Sequence, residues 1–376
     1  MSRMFLAPSR YVQGAGAIAE LGIHAARMGT KALFTGGKTA LNVCGSAAEA
    51  SLKDHKVGCH TEVFKGECSY KEIRRLMGIA KANRTDLVIA AGGGKVIDTG
   101  KAVGHEMKIP VLAVPTIAAT DAPCSALSVI YSEHAVFERY LILPKNPDCV
   151  LVDTTLVANA PVELLVSGMG DALATYWEAD TCAKSHKPNA LTGACPPTLS
   201  SLALARLCYD TLLEYGLQAK LAVEKKSVTP AVEAVVEANI LLSGLGFESG
   251  GLAGAHAVHN GLTVLEASHA KFHGQKVAFG VITQMVLEGR MSKDVDKVLD
   301  FYLSVGLPVC LEDLSIYNPN SDDIRKVAEA ATVAGETIHS TWFPVTVEMV
   351  ESAIWAADAL GRERKSRLGS SWAADK

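Results

Sequence analysis

The chain carries no surplus charge of one sign: 36 Lys and Arg stand against 40 Asp and Glu, for a formal net charge of −4. Without a basic excess nothing drives nucleic-acid binding, and no run of like charges forms a membrane-surface patch. Long apolar runs are also missing. The stretch 109–118, among the longest, is interrupted by two prolines and is far shorter than the about 20 residues a bilayer requires. The opening MSRMFLAPSRYVQG has no h-region of a secretory signal, so the expected location is the cytoplasm. No CxxC occurs among the nine cysteines, which excludes a zinc knuckle and a thioredoxin-like dithiol. They read as reduced, mostly buried thiols. There is no internal repeat and no low-complexity segment.

What is present is a chain of 376 residues, 49% hydrophobic and 20% charged, too long for one compact domain and too apolar for disorder. Up to about residue 160, short β-rich runs alternate with helical patterns. Strands are expected at 31–35, 57–64, 86–91 and 109–114, with helices at 39–54, 69–83 and 95–107 between them. Ser69 and Glu72 form a candidate capping box. Strands that are apolar on both faces and separated by helices indicate a parallel α/β sheet. A strand pair at 126–131 and 138–143 closes this half. From Pro161 onward the pattern is helix after helix: 161–184, 198–219, 231–246, 251–265, 275–288, 292–304, 322–338 and 346–361. The expected domains are therefore 1–160, α/β, and 161–376, all-α.

Gly92-Gly93-Gly94-Lys95 follows an apolar strand and opens a helix, a context in which free amides can hold a phosphate. A plain tight turn is the alternative. Gly14–Ala19 satisfies GxGxxA but lacks a convincing strand before it, and it reads as a turn into a helix. Histidine distribution is sharper, because four of eleven lie within 256–273. His256 and His259 share a helix face, and His273 belongs to a neighbouring segment. Imidazoles so gathered suit a metal, whereas His269 reads as a surface residue. Asp171, after glycines at a helix start, is either an N-cap or a hard ligand. Pro115–Ser125 is a polar loop at the carboxyl end of a strand, where open α/β sheets bind ligands.

Together these stretches resemble the glycerol dehydrogenase branch of the iron-containing alcohol dehydrogenase family. The resemblance rests on GGGKVIDTGKA (92–102), PTIAATDAPCSALSVIY (115–131), LPKNPDCVLVDT (143–154) and GMGDALATYWEA (168–179). GFESGGLAGAHAVHNGLTVLE (246–266) and HGQKVAFG (273–280) complete it. It implies an α/β dinucleotide-binding domain followed by an all-α domain, the dehydroquinate synthase-like architecture. It also implies metal ligation by Asp171, His256 and His273 and a polyol contact from Asp121. By the same resemblance Gly93, Gly94, Lys95 and Asp98 hold the cofactor phosphates and adjoining ribose. Thr116, Ser125, Leu127 and Tyr131 line the cofactor site. A homo-oligomer, up to an octamer, is the expected assembly.

Three positions depart from the family pattern. Thr175 stands where iron-type relatives have a fourth, histidine ligand, which favours zinc with three protein ligands. Gly37 stands where NAD-using members have an aspartate for the adenosine ribose, and Ala119 replaces a serine. NAD is the implied cofactor, with NADP left open because no carboxylate repels a 2′-phosphate and Lys38 is adjacent. The implied chemistry is hydride transfer between a small polyol, glycerol to dihydroxyacetone, and the nicotinamide. Asp121 and His256 are the catalytic candidates, and His259 is either a proton relay or a support. The rival substrates are a 2-oxo acid or another vicinal diol. A lyase of the dehydroquinate synthase type needs several cations, and only Lys271 and Lys276 stand near the metal motifs.

Overall fold

The structure, a computed structural model, describes residues 2–133, 137–194 and 196–374. β1 (Tyr11–Gly14) precedes a 3-10 turn and α1 (Leu21–Ala25). There follow β2 (Lys31–Gly36), α2 (Lys38–Asp54), β3 (Gly58–Val63), α3 (Tyr70–Ala82), β4 (Leu87–Gly92), α4 (Gly94–Met107) and β5 (Val111–Pro115). Then come β6 (Leu127–Tyr131), β7 (Phe137–Ile142), β8 (Cys149–Asp153) and α5 (Thr154–Asn159). The remaining elements are helical. They are α6 (Val162–Ser185), α7 (Leu199–Glu224), α8 (Pro230–Glu237), α9 (Ser243–Gly250) and α10 (Gly254–Leu262). After these come α11 (His273–Leu287), α12 (Ser292–Val305), α13 (Ser321–Ala331) and α14 (Val347–Ala374).

Six strands form one parallel sheet in the order β1-β8-β5-β4-β2-β3, while β6 and β7 pair antiparallel. The period of two along each strand divides the core. Phe34 and Ile89 enter a cluster with Leu52, Leu112 and Leu151, whereas Leu33 and Val88 point to the opposite face, with Ile73, Leu76 and Val103. Both faces of β4 and β5 are buried, which is why their sequences read as unbroken apolar runs. In the chain, β2 is followed by β3 on one side of it and then by β4 on the other. The strand order therefore reverses between β2 and β4.

Several expectations are corrected. A strand does precede the Gly14–Ala19 stretch: β1 pairs with β8, and neither strand was foreseen. The loop's amides are nonetheless occupied from within, since Asp153 accepts from Gly16 N at 3.0 Å and Ile18 N at 3.1 Å. Ser69 caps α3 through Glu72 N, but the Glu72 carboxylate turns to Lys65 N and Arg75 instead of closing the box. Helix α14 runs on past Gly361, which serves a close approach: a Cβ there would come within 1.8 Å of Val309 O. The segment Pro230–Gly250 is long and apolar enough, by length and composition, to cross a membrane; 72% of its most apolar window is buried in the fold, which accounts for its character. None of the eight described cysteines is disulfide-bonded and seven are buried; Cys195 lies outside the described residues.

The chain divides into two compact units, one of residues 6–165 with 218–244, the other of 1–5, 166–217 and 245–376. The expected boundary at 160 thus moves into α6, and α8 returns to the sheet's unit. Glu233 of α8 explains the return, accepting from Gln13 Nε2 and from Thr154 Oγ1, each at 2.7 Å.

Candidate active site

In the sheet's unit, register sets Gly36 beside Ala91 and Gly92 beside Pro115, so β2, β4 and β5 end side by side. Two helices start at this edge, α2 with Gly37 and α4 with Gly93 at the N-cap, neither capped by its own side chain. Their first amides leave a site suited to an anion. Gly94 opens the first turn of α4, and a Cβ on it would lie 3.3 Å from Thr120 Oγ1 in the loop after β5. Lys95 extends to Glu67, 2.5 Å away, and lies 6.0 Å above the Tyr131 ring. Thr116 and Ala119 are buried in that loop, and Leu127 and Tyr131 are half-buried on β6.

Asp98 and Ser125, also in the expected cofactor set, share a buried lysine. Asp98 is buried, accepts from Val129 N at 3.1 Å and lies 2.9 Å from the Lys101 ammonium. Burial pushes its carboxyl above the ordinary range despite that lysine. Ser125 faces the same ammonium, which also donates to the carbonyls of Ala122 and Leu127. These groups fasten the 115–127 loop to α4. Lys101 was unforeseen, although a lysine three residues from an acid in an apolar helix was a readable signal. Asp121, on the same loop, accepts from Ser243 Oγ at 2.6 Å, and Asn239 Nδ2 donates to Ala118 O at 2.9 Å.

In the helical unit, one ligand atom each of Asp171, His256 and His273 lies within 4.8 Å of the others. Both histidines aim Nε2 at the same oxygen, Asp171 Oδ1, at 3.3 and 3.2 Å. Asp171 lies inside α6, not at its start, so the N-cap alternative falls away. Close backbone approach creates the cluster: a Cβ on Gly274 would sit 1.8 Å from Ser167 O, so only glycine lets α11 begin against α6. Thr175, one turn beyond Asp171, is packed under Gly246, where an added Cβ would meet Thr175 Cγ2 at 2.5 Å. Its place is filled by packing, which leaves three candidate ligands.

The charged groups of the cluster hold one another's protonation away from ordinary values. Burial pushes the Asp171 carboxyl up, but His273 and His256 outweigh it and hold the group well below the usual carboxylate range. Burial pushes His256 down, but Glu178 and Asp171 hold it well above its ordinary value. His259 is held well below its ordinary value by burial and by His273, Lys276 and His256. Glu178, fully buried, accepts from His256 Nδ1 at 2.7 Å and caps α10 through Ala253 N and His256 N. It went unassigned in the sequence, although Asp171 and Glu178, seven apart in an apolar helix, share one face. His269 lies apart, bonded to Thr263 O.

The donor set fits a divalent cation: one carboxylate oxygen and two imidazole nitrogens, with a second acid orienting one ring.

The family model described as iron-containing alcohol dehydrogenase matches residues 8–154. The chain is 52% identical to glycerol dehydrogenase of Thermotoga maritima, covering 96% of this chain and 98% of that one. It is 47% identical to glycolaldehyde reductase of Halobacterium salinarum, over 98% of this chain and 100% of that one. A solved structure of a probable glycerol dehydrogenase from Sinorhizobium meliloti superposes with a TM-score of 0.90 at 42% identity, covering 96% and 100% of the two chains.

Proposed function

This chain belongs to the iron-containing alcohol dehydrogenase family, and from that premise we propose that it oxidises glycerol to dihydroxyacetone, passing hydride to NAD. It is an oxidoreductase of the NAD(P)-dependent alcohol dehydrogenase type. The observation that carries the proposal is the convergence of Asp171, His256 and His273 on one point. Those three residues hold the metal, and their number favours zinc, whose catalytic sites keep three protein ligands and an open position. A divalent cation there supplies a Lewis acid that lowers the pKa of a bound hydroxyl. The first amides of α4, from Gly93 and Gly94, hold the dinucleotide's phosphates.

Asp121 orients the substrate by accepting from a second polyol hydroxyl, its carboxylate steadied by Ser243. Asp121→Ala should therefore lower kcat/KM for glycerol by about 1.5–3 kcal/mol, the range for a charged hydrogen bond, with metal content unchanged. Steady-state kinetics with a mono-alcohol are the control. An equal loss there removes the positioning role, because that substrate has no second hydroxyl.

Cofactor choice turns on residue 37. Gly37 has φ −64° and ψ 156°, open to any residue, and an added Cβ meets no atom within 4 Å. An aspartate fits there without strain, at the end of β2 where a ribose 2′ position is expected. Gly37→Asp should raise the NAD-over-NADP preference at least about tenfold, or about 1.4 kcal/mol, mainly by weakening NADP. Unchanged Kd values for both cofactors mean that residue 37 is not at the ribose.

The relative named glycolaldehyde reductase, at 47% identity within the 46–52% range of bacterial glycerol dehydrogenases, makes substrate choice the decisive test. The experiment is a matrix on zinc-loaded protein: glycerol, another vicinal diol, glycolaldehyde and a 2-oxo acid, each with NAD and NADP. Glycerol with NAD should give the highest kcat/KM. Faster turnover of glycolaldehyde or a 2-oxo acid overturns the substrate assignment.

A further inference from the structure

We propose that each metal-binding histidine is locked in its ligating tautomer by a separate hydrogen-bond chain, Glu178 acting directly on His256 and Glu336 acting on His273 through Asn260 and His259. The inference rests on the metal-site reading above. A neutral histidine ligates through Nε2 only when its proton sits on Nδ1. Whatever faces Nδ1 therefore decides whether the ring can bind.

For His256 the deciding group is a carboxylate. Glu178 Oε2 lies 2.7 Å from Nδ1, while Oε1 accepts from Ala253 N at 2.9 Å and His256 N at 3.0 Å. A carboxylate only accepts, so Nδ1 must donate, and in the neutral ring that binds a metal the lone pair falls on Nε2.

The second chain is longer and runs by the same logic. Both Glu336 oxygens face Asn260 Nδ2, at 3.3 and 3.1 Å, so the amide nitrogen must point to Glu336 and the amide oxygen to His259. That oxygen lies 3.0 Å from His259 Nδ1, which must then donate. Neutral His259 is left with a lone pair on Nε2, 3.0 Å from His273 Nδ1. His273 Nδ1 must donate in its turn. Its Nε2, 3.2 Å from Asp171 Oδ1, is the atom left for the metal. His259 is thus a positioning residue behind His273, and Glu336 sets a proton three residues away.

The test uses the full-length protein, stripped of metal and titrated with zinc against a chromophoric chelator. In Glu178→Gln the amide oxygen keeps the two backbone bonds and the NH2 turns on His256 Nδ1, selecting the wrong tautomer. Asn260→Leu removes the acceptor that orders His259. Each should weaken zinc about 10–100-fold, the usual effect of losing such a partner. Glu336→Gln retains an acceptor for Asn260 and should bind zinc close to wild type. Imidazole 15N shifts should show the His273 proton moving from Nδ1 to Nε2 in Asn260→Leu but not in Glu336→Gln, with NAD affinity unchanged in both. Wild-type zinc affinity in Glu178→Gln and Asn260→Leu overturns the proposal while leaving the metal site intact. Undiminished zinc binding by His256→Ala and His273→Ala overturns the metal-site reading itself.

Discussion

Replacing His256 with alanine should strip the divalent metal and lower kcat by about 1000-fold, because a Lewis acid contributes several kcal/mol, about 4, to stabilising transition-state charge. Dinucleotide binding should persist, since the groups proposed to hold it lie on the sheet edge of the other unit. Chelator treatment of the wild type should give the same loss, and zinc should restore the wild type but not the variant. Metal analysis and dinucleotide titration check both halves. A variant with full metal content means that His256 is not a ligand. The cluster's charge adds a pH signature. In the metal-free protein Glu178 and Asp171 hold His256 protonated well above its ordinary 6.5. That contribution to stability is full below 6.5 and is lost as pH rises through the raised value. Zinc needs the Nε2 lone pair, so its affinity runs the other way, climbing about tenfold per pH unit for each proton displaced until that value is passed. Zinc affinities in graded buffers test the sign: flat affinity means that no proton is displaced.

The parallel sheet was readable because Leu87–Gly92 and Val111–Pro115 are buried on both faces and therefore apolar throughout. β1 escaped because all four of its residues are half-buried at the sheet edge, leaving no alternation to read. The return of α8 to the sheet's unit depends on Glu233 meeting Gln13, 220 residues away, and no local pattern carries that. The grouping of Asp171, His256 and His273 was legible as a resemblance and as a histidine cluster, but not as geometry, since 102 residues separate Asp171 from His273. The supports around it were harder. Glu178, Asn260 and Glu336 look like ordinary polar residues until the fold shows which nitrogen each one faces. Asp98 shows another limit: the motif that contains it resembles a cofactor loop, but its contacts with Val129 N and Lys101 could not be read from the motif.

Gly274→Ala should do to the metal centre, from outside the ligand set, nearly what His256→Ala does from within. The new Cβ would fall 1.8 Å from Ser167 O, 2.7 Å from Ser167 C and 3.0 Å from Asp171 N. All three atoms are backbone, so no rotamer change relieves the clash and α11 must move away from α6. His273 is the first residue of α11, and Asp171 lies on the stretch of α6 that is struck, so the displacement falls on two of the three proposed ligands. Overpacking of this kind costs about 1–3 kcal/mol or more of stability. Zinc affinity should fall at least about tenfold, since a pair moved apart by a fraction of an ångström loses more than a second-sphere bond is worth. Gly78→Ala is the matched control: it lies exposed within α3, a Cβ there meets nothing within 4 Å, and alanine should stabilise the protein by about 0.5–1 kcal/mol. Thermal unfolding and zinc titration of the two variants side by side separate close approach from helix propensity. If Gly274→Ala keeps both wild-type stability and wild-type zinc affinity, the contact between α6 and α11 is not what assembles the site.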